Sequence, residues 1–216
     1  MLAGLGVGGG TSENGTSGVG GPSRLWAGDR EVKLVFAMRN PRVVVFGGLL
    51  SDAECDELVA LSTPRLVRSE TVVNSTGDSE VNDARTSRGM FFARGENDVC
   101  KRLEARIGRL LQWPVENGEG LQILNYAPGA EYKPHYDYFD PAAPGTPAIL
   151  RRGGQRVGTL IMYLNDPPAG GATISLVPAR TRVDRLVYVT AVLPEPGRSN
   201  AEIVGDDGGQ AVLSVS

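Results

Sequence analysis

The sequence predicts an α+β domain in which short strands form an antiparallel double-sheet barrel and helices pack on one of its faces. Two observations predict this class. Brief apolar runs are separated by turns rich in Gly and Pro, and two segments in the first half show the helical spacing of apolar residues. This order of elements is typical of folds that gather their helices on one side of a strand layer. A chain of 216 residues is long enough for one such domain and a tail.

The N-terminal segment predicts no regular structure. Glycine recurs every few positions in residues 1–25, and the segment lacks the positive start and uninterrupted apolar core of a signal peptide. We therefore expect a disordered leader over residues 1–25.

Composition excludes several classes of partner. The net charge is −3 and no basic patch stands out, so we expect no nucleic-acid partner. No apolar run approaches the length of a membrane span, so we expect no membrane partner either. Cys55 and Cys100 lie far apart without C-x-x-C spacing, which indicates thiols in a reducing compartment, with a disulfide as the minority alternative. These features together predict a cytoplasmic protein.

Two helices are predicted in the first half of the chain. The first begins at the capping-box pattern Ser51 to Glu54 and ends before Pro64. The second spans residues 97–112 and ends at Trp113-Pro114. Its apolar stripe is Val99, Leu103, Ile107, Leu110 and Leu111.

Strands are predicted wherever β-branched or apolar runs are bounded by turn residues. Pro128-Gly129 forms a type II turn, residues 74–83 form a mobile loop, and residues 138–152 form a stiff, proline-rich loop. The predicted strands cover residues 42–46, 66–73, 89–93, 121–126, 132–137, 156–165, 172–177 and 186–193.

A candidate metal site lies in the strand predicted over residues 132–137. It holds His135, the single histidine of the chain, and Asp137. Residues i and i+2 of a strand face the same side, so both side chains can address one point. Such a pair supplies two of the three ligands of the 2-His-1-carboxylate triad that binds Fe(II). A hydrogen bond at a strand edge is the plainer alternative.

Three motifs in order carry a resemblance to a known family. LQILNYAPGAEYKPHYDYFDP, GGQRVGTLIMYLND and AGGAT resemble the prolyl 4-hydroxylase family of Fe(II)/2-oxoglutarate dioxygenases, over about residues 40–173. The resemblance implies a double-stranded β-helix, or jelly roll, supported by two N-terminal helices. It also implies a dioxygenase domain over residues 26–176 and an atypical tail over 177–216, with the C-terminal strands expected to be incomplete if that tail lies outside the family.

The resemblance also implies an activity and a set of site residues. The family binds Fe(II) and 2-oxoglutarate, uses ascorbate, and hydroxylates prolyl residues of a peptide or protein. His135 and Asp137 would then be the metal ligands and catalytic residues, and Tyr126 and Thr173 would contact 2-oxoglutarate. The substrate groove would be lined by Arg85, Ser87, Glu119, Tyr132 and Arg156. Core aromatics and surface charges are the plainer alternatives for these positions.

The chain departs from the family pattern in its last forty or so residues. The family uses a second histidine as a metal ligand and a lysine for 2-oxoglutarate, but this chain has no second histidine and no lysine after Lys133. Three hypotheses account for this: a frame shift near codon 174, a non-catalytic peptide-binding module on the same fold, or a substitute ligand from Asp206 or Asp207. We expect weak or absent hydroxylation by the chain as written.

Overall fold

The computed structural model describes residues 24–39, 42–73, 76–151 and 153–166, and the backbone of strands 187–193 and 208–215. The three helices of these residues are α1 (Asp52–Ser62), α2 (Asp98–Leu111) and α3 (Thr146–Leu150). The strands are β1 (Arg24–Trp26), β2 (Glu31–Arg39), β3 (Arg42–Gly47), β4 (Val67–Arg68), β5 (Thr71–Val72), β6 (Ser79–Glu80), β7 (Arg88–Phe91), β8 (Gln122–Tyr126), β9 (Gly158–Tyr163), β10 (Val187–Leu193) and β11 (Gly208–Val215).

Most strands join one sheet in the order β1-β2-β3-β10-β9-β11-β8-β7-β4, while β5 and β6 pair separately. Strand β11 pairs antiparallel with both β8 and β9. Strand β10 is parallel to both of its neighbours, β3 and β9. A parallel pair needs a long crossover connection, and residues 164–186 connect β9 to β10. The mixed helix and strand content was predicted, and the parallel pairing of β10 differs from the all-antiparallel expectation. The jelly roll itself stays a prediction.

The two long helices begin where the sequence predicts. Ser51 caps α1, accepting a hydrogen bond from the Glu54 backbone, while the Glu54 carboxylate accepts one from the Ser51 backbone at 2.9 Å. Asn97 caps α2 through the Cys100 backbone N–H at 2.9 Å. Helix α2 ends at Gln112, whose φ of 52° places it in the left-handed region and turns the chain away from the helix axis.

The main core lies between the helices and one face of the sheet. Helix α2 contributes its predicted stripe, and α1 contributes Leu58. The sheet contributes core side chains from five of its strands: Val32 of β2, Phe46 of β3, Met90 of β7, Ile123 of β8 and Leu160 of β9. The largest fully buried side chains are Phe92, Leu49, Leu58, Leu103, Ile107, Leu121, Leu160 and Met162.

An N-terminal hairpin of β1 and β2 was not predicted. It begins at Arg24, within the predicted leader, and Leu25 pairs with Val32 in antiparallel register. The pairing of β2 with β3 is irregular between Leu34 and Phe36. Such a shift breaks the alternation of buried and exposed side chains that identifies a strand in a sequence.

A cluster of charges around the buried Arg106 side chain ties this hairpin to both long helices. Arg106 of α2, with a side chain only 3% exposed, forms paired hydrogen bonds with Asp29 of the hairpin and Glu54 of α1 at 2.7–3.0 Å. It also donates to the Leu49 carbonyl. Burial would raise the pKa of Glu54, but the hydrogen bonds from Arg106 and Ser51 lower it to about 2. The cluster is therefore ionised and fully paired at neutral pH.

Among the residues that the structure describes, the helices are too short and too polar to span a lipid bilayer.

Candidate functional site

Strand β8 separates the main core from the candidate site. Leu121, just before the strand, and Ile123 pack into the main core, whereas Leu124 and Tyr126 form a second, smaller cluster with Ala130. Alternate residues of a strand point to opposite faces, so one strand serves both layers. The second cluster is the apolar floor on which the site is built.

His135 and Asp137 come together as predicted, although not by the predicted backbone. Residues 133–139 have irregular backbone, and only Tyr132 makes a strand-like bridge, to Arg85. The strand predicted over residues 132–137 is therefore wrong. The His135 Nε2 and Asp137 Oδ1 atoms nevertheless lie 3.4 Å apart, with side chains 38% and 22% exposed.

The hydrogen bonds of His135 define which nitrogen faces Asp137. The Nδ1 atom lies 2.8 Å from the Lys133 carbonyl oxygen. A carbonyl only accepts, so Nδ1 carries the proton and donates it there. In the neutral ring, Nε2 then turns a lone pair toward a carboxylate oxygen. Two acceptors in this position need a cation between them, either a proton or a metal ion.

Asp137 is held from its other side by strand β9. The Thr159 hydroxyl donates to Asp137 Oδ2 at 2.7 Å, and Arg156 donates to the Asp137 carbonyl at 3.3 Å. Burial would raise the pKa of Asp137, but the contact with His135, the hydrogen bond from Thr159 and the charge of Arg156 keep it below its usual value. The carboxylate is thus charged and oriented at neutral pH.

Tyr132 and Arg85 form a stack with His135. The rings of Tyr132 and His135 lie 3.6 Å apart between centroids at an interplanar angle of 20°. The Arg85 guanidinium lies over the Tyr132 ring, with its Cζ atom 4.7 Å from the centroid. Both residues were predicted to line a substrate groove; the structure places Tyr132 against His135, the candidate metal ligand, and Arg85 on the other face of Tyr132.

Tyr126 and Ser87 lie deeper, beneath this stack. Tyr126 is buried on the second cluster, and burial raises the pKa of its phenol against the opposing charge of Arg85. Ser87 is fully buried, donates to the Ser69 hydroxyl at 3.0 Å and hydrogen-bonds Tyr126. These hydroxyls give the floor of the site a small polar area.

Glu119 and Arg156, predicted as separate groove residues, are paired with each other. The two nitrogens of the guanidinium fork donate to the two carboxylate oxygens at 2.7 and 2.8 Å. The Arg156 guanidinium also lies over the Phe139 ring, 4.8 Å from its centroid. Burial would lower the pKa of Arg156, but the hydrogen bond and charge of Glu119 raise it. The pair forms a charged wall next to Asp137.

Two residues that support the site were not singled out from the sequence. Thr159 holds Asp137, and the Gln155 side chain hydrogen-bonds both the backbone N–H and the carbonyl of Phe139, at 2.8 and 2.7 Å. Gln155 stands in the GGQR motif, so its presence there was the available indication. Thr159 sits in an apolar strand, where threonine is common for reasons of strand propensity alone.

The residues present fit part of a metal site. Two cis ligands of a first-row divalent ion with bonds of about 2.1 Å lie about 3 Å apart, close to the separation of His135 and Asp137. In the described part of the chain, no cluster of three His, Cys, Asp or Glu side chains could hold a metal. With one histidine in the whole sequence, the 2-His-1-carboxylate triad cannot be completed from this chain. Thr173, Asp206 and Asp207 lie outside the described residues.

Comparison with known proteins identifies the relationship. Residues 121–213 match the family model of the 2OG-Fe(II) oxygenase superfamily. The chain is 42% identical over 147 residues to prolyl 4-hydroxylase 5 of Arabidopsis thaliana, which covers 68% of this chain and 48% of that protein. It is also 40% identical over 158 residues to prolyl 4-hydroxylase 1 of the same plant, covering 68% of this chain and 54% of that protein.

Over the matched residues the chain is similar to the prolyl 4-hydroxylases. It spans about half the length of the curated relatives it matches. The family match continues to residue 213, past residue 173, where the recognisable prolyl 4-hydroxylase motifs end.

One solved structure also aligns with this chain. The viral collagen prolyl hydroxylase of Paramecium Bursaria Chlorella virus-1, solved as a 2OG complex, aligns with a TM-score of 0.49 and 22% identity. The alignment covers 78% of this chain and 92% of that chain.

Proposed function

We propose that this chain is a prolyl 4-hydroxylase-type dioxygenase domain that binds a proline-containing peptide beside an incomplete iron site, and that its hydroxylation is weak or absent. The observation that carries the proposal is the convergence of His135 Nε2 and Asp137 Oδ1 at 3.4 Å, beside the stack of Arg85 and Tyr132. Fe(II) with 2-oxoglutarate would supply the oxidising chemistry for the prolyl ring.

The residues around the pair support the binding of peptide. Tyr136, next to His135 in the sequence and 54% exposed, offers an aromatic surface, and aromatic grooves are the usual receptors of pre-extended, proline-rich segments. The Glu119–Arg156 pair places one charge of each sign at the side of the same surface. Tyr126 and Ser87 supply hydroxyls at its floor, and we expect the Tyr126 hydroxyl to contact 2-oxoglutarate.

The weakness of the iron site follows from its ligand count. Loss of a single hydrogen-bond partner of a ligand typically costs about 10–100-fold in metal affinity, and loss of a ligand costs at least as much. Two protein ligands with 2-oxoglutarate as chelator would therefore retain Fe(II) only at high concentrations of both.

Anaerobic titration with Fe(II) and 2-oxoglutarate tests the proposal through the metal-to-ligand charge-transfer band. We expect a band that grows only at high iron and disappears in His135→Ala. Turnover of a proline-rich peptide to hydroxyproline at the rate of a normal enzyme would contradict the predicted impairment. No band at any concentration would exclude the iron site of the chain as written.

The missing second histidine favours one alternative, a non-catalytic peptide-binding module. Calorimetric titration with a proline-rich peptide discriminates the two functions. The module predicts equal affinity with and without Fe(II) and 2-oxoglutarate, and no hydroxyproline. The dioxygenase predicts tighter binding when both are present. In each case Arg156→Met should weaken peptide binding, whereas Arg65→Met, at an arginine–aromatic contact with Phe92, should not.

The frame-shift hypothesis is tested on the gene rather than on the protein. Translation of the two other frames beyond codon 174 should reveal a histidine followed by a lysine and a tryptophan-containing strand if a shift replaced the tail. If neither frame contains them, the tail is genuine.

A further inference from the structure

The strongest unexplained feature is the sandwich of Tyr132 between an arginine and a histidine. His135 covers one face of the Tyr132 ring at 3.6 Å between centroids. That face has no room for a guanidinium whose carbon lies 4.7 Å from the same centroid, so Arg85 occupies the opposite face. A cation over an aromatic ring is held by the ring quadrupole, and the stack places its three groups in one column.

The backbone sets the spacing of this column. The Thr86 N–H donates to the Glu131 carbonyl at 2.8 Å, and the Glu131 N–H donates to the Thr86 hydroxyl at 2.7 Å. The Lys133 N–H donates to the Ala84 carbonyl at 2.9 Å. These bonds flank the bridge between Arg85 and Tyr132, so neither residue can slide along the other.

Arg85 itself is held mainly by its packing. It is only 7% exposed, yet its one side-chain hydrogen bond to the described residues is a long one, 3.3 Å from Nη1 to the Glu70 carbonyl. Its Nε atom is buried without a partner in the described part of the chain. With so few hydrogen bonds, the buried guanidinium is held by the stacking of its flat face on the Tyr132 ring.

His135 is restrained along a second direction by its own hydrogen bond. Donation from Nδ1 to the Lys133 carbonyl fixes the tautomer and limits rotation in the ring plane. The stack on Tyr132 limits tilting out of that plane. With both restraints in place, Nε2 has one direction left, toward Asp137 Oδ1.

We propose that Arg85 is a positioning residue, which acts through Tyr132 to hold the His135 imidazole with Nε2 directed at Asp137. This role deepens the proposed function and rests on it for the use of the fixed ring, but the orientation exists without metal or substrate. It differs from a groove contact because Arg85 acts from the far side of Tyr132. An experiment can therefore disprove the role of Arg85 in orienting the imidazole without disproving iron binding, and the reverse.

The single histidine allows a direct measurement on the metal-free chain of 216 residues. Labelling with ¹³C,¹⁵N-histidine gives one set of imidazole resonances, all from His135. We expect its carbon-bound protons to resonate upfield of free histidine, because they lie over the Tyr132 ring. The long-range ¹H–¹⁵N spectrum should show the proton on Nδ1. Resonances at the positions of free histidine would overturn the proposal at once.

Three variants locate the cause of the upfield shift. Tyr132→Leu should abolish the shift, and Tyr132→Phe should retain it. Arg85→Met, which keeps the length of the side chain but removes the guanidinium, should lose a large part of the shift and broaden the resonances as the column loosens. Arg65→Met is the matched control, since it removes another arginine–aromatic contact, 5.1 Å from the Phe92 centroid, and should leave the His135 spectrum unchanged.

The outcomes separate positioning from simple structural support. If Arg85→Met leaves the His135 shift intact while Tyr132→Leu removes it, Arg85 is not a positioning residue. If Arg65→Met moves the shift as much as Arg85→Met does, the effect is general loss of packing. If Arg85→Met does not fold, Arg85→Lys replaces it, and an unchanged spectrum in that variant would overturn the role of the planar guanidinium.

Discussion

Arg106 and Arg85 are both buried arginines, and the structure satisfies their guanidinium groups to very different degrees. Arg106 donates from all three nitrogens to Asp29, Glu54 and the Leu49 carbonyl. Arg85 has one long hydrogen bond and an unpartnered Nε among the described residues. A saturated guanidinium can only support the fold, whereas an unsaturated one retains donors for another task. Arg106 therefore uses its donors for stability, whereas Arg85, beside the site, has donors that the described residues do not use.

Removal of Arg106 is the strongest test of the difference between the two arginines. Arg106→Leu should lower the free energy of unfolding by about 3–5 kcal/mol, because Glu54 would be left buried without its cation. Urea unfolding at neutral pH measures the change. Arg102→Leu is the control, at a nearly half-exposed side chain that also contacts Glu54, and should cost less than about 1 kcal/mol. Equal losses in the two variants would contradict the special role of the buried cluster.

Acid should unfold the helical side through Glu54. Its pKa is lowered from 4.5 to about 2, so its contribution to stability is present above about pH 4.5 and is lost as the pH falls toward 2. The loss should amount to about 3 kcal/mol. Stability measured between pH 5 and pH 2 should therefore fall more steeply in the native protein than in Glu54→Gln. Parallel curves would show that Glu54 is not responsible.

On the site side, Thr159→Val should act on metal affinity more than on stability. It removes the hydroxyl that donates to Asp137 Oδ2 while keeping the shape of the side chain. We expect Co(II) or Fe(II) affinity to fall about 10–100-fold, measured by titration. Thr146→Val removes another buried hydroxyl, which donates to the Asp140 carbonyl at 2.6 Å, and should leave the affinity unchanged. A similar loss in both variants would contradict the role of Thr159.

The smallest effects are expected at the helix caps. Ser51→Ala and Asn97→Ala each remove an N-cap and should cost about 1 kcal/mol of stability. Ser51 should cost the more of the two, because its backbone and hydroxyl also hold the Glu54 carboxylate that pairs with Arg106. Chemical denaturation of the two variants gives the comparison. A larger loss for Asn97→Ala would show that Ser51 does not help to orient Glu54.

Local patterns predicted the two long helices well, because a cap and an apolar stripe are both formed by residues close in sequence. Ser51 and the stripe of α2 are examples. The short helix α3 was missed, since it lies within the predicted proline-rich loop of residues 138–152 and its proline stands in the first turn, where a helix tolerates it. Strand β2 was not predicted because the irregular pairing near Phe36 interrupts the alternation of its buried and exposed side chains. Its partner β1 is only three residues long. The parallel pairing of β10 depends on a long connection, which no local pattern encodes.

The site was predicted as a set of residues rather than as a set of contacts. His135 and Asp137 converge, but over an irregular backbone instead of the expected strand. Glu119 and Arg156 are separated by 37 positions, so their pairing could not be inferred from spacing. The family resemblance placed them in one groove without indicating that they neutralise each other. Side-chain pairing across such distances is a property of the fold, which the sequence alone does not display.

The pairing of β11 has a consequence for the order in which the chain folds. Residues 208–215 lie between β8 and β9, so each of these strands finds a neighbour that is distant in the sequence. Contacts of this kind are slow to form, because a long loop must close before any of them is gained. Until then, β8 and β9 each present an unpaired strand edge, which can template intermolecular association. Refolding should therefore be slow and concentration-sensitive, with the polar candidate site assembled among the last parts of the molecule.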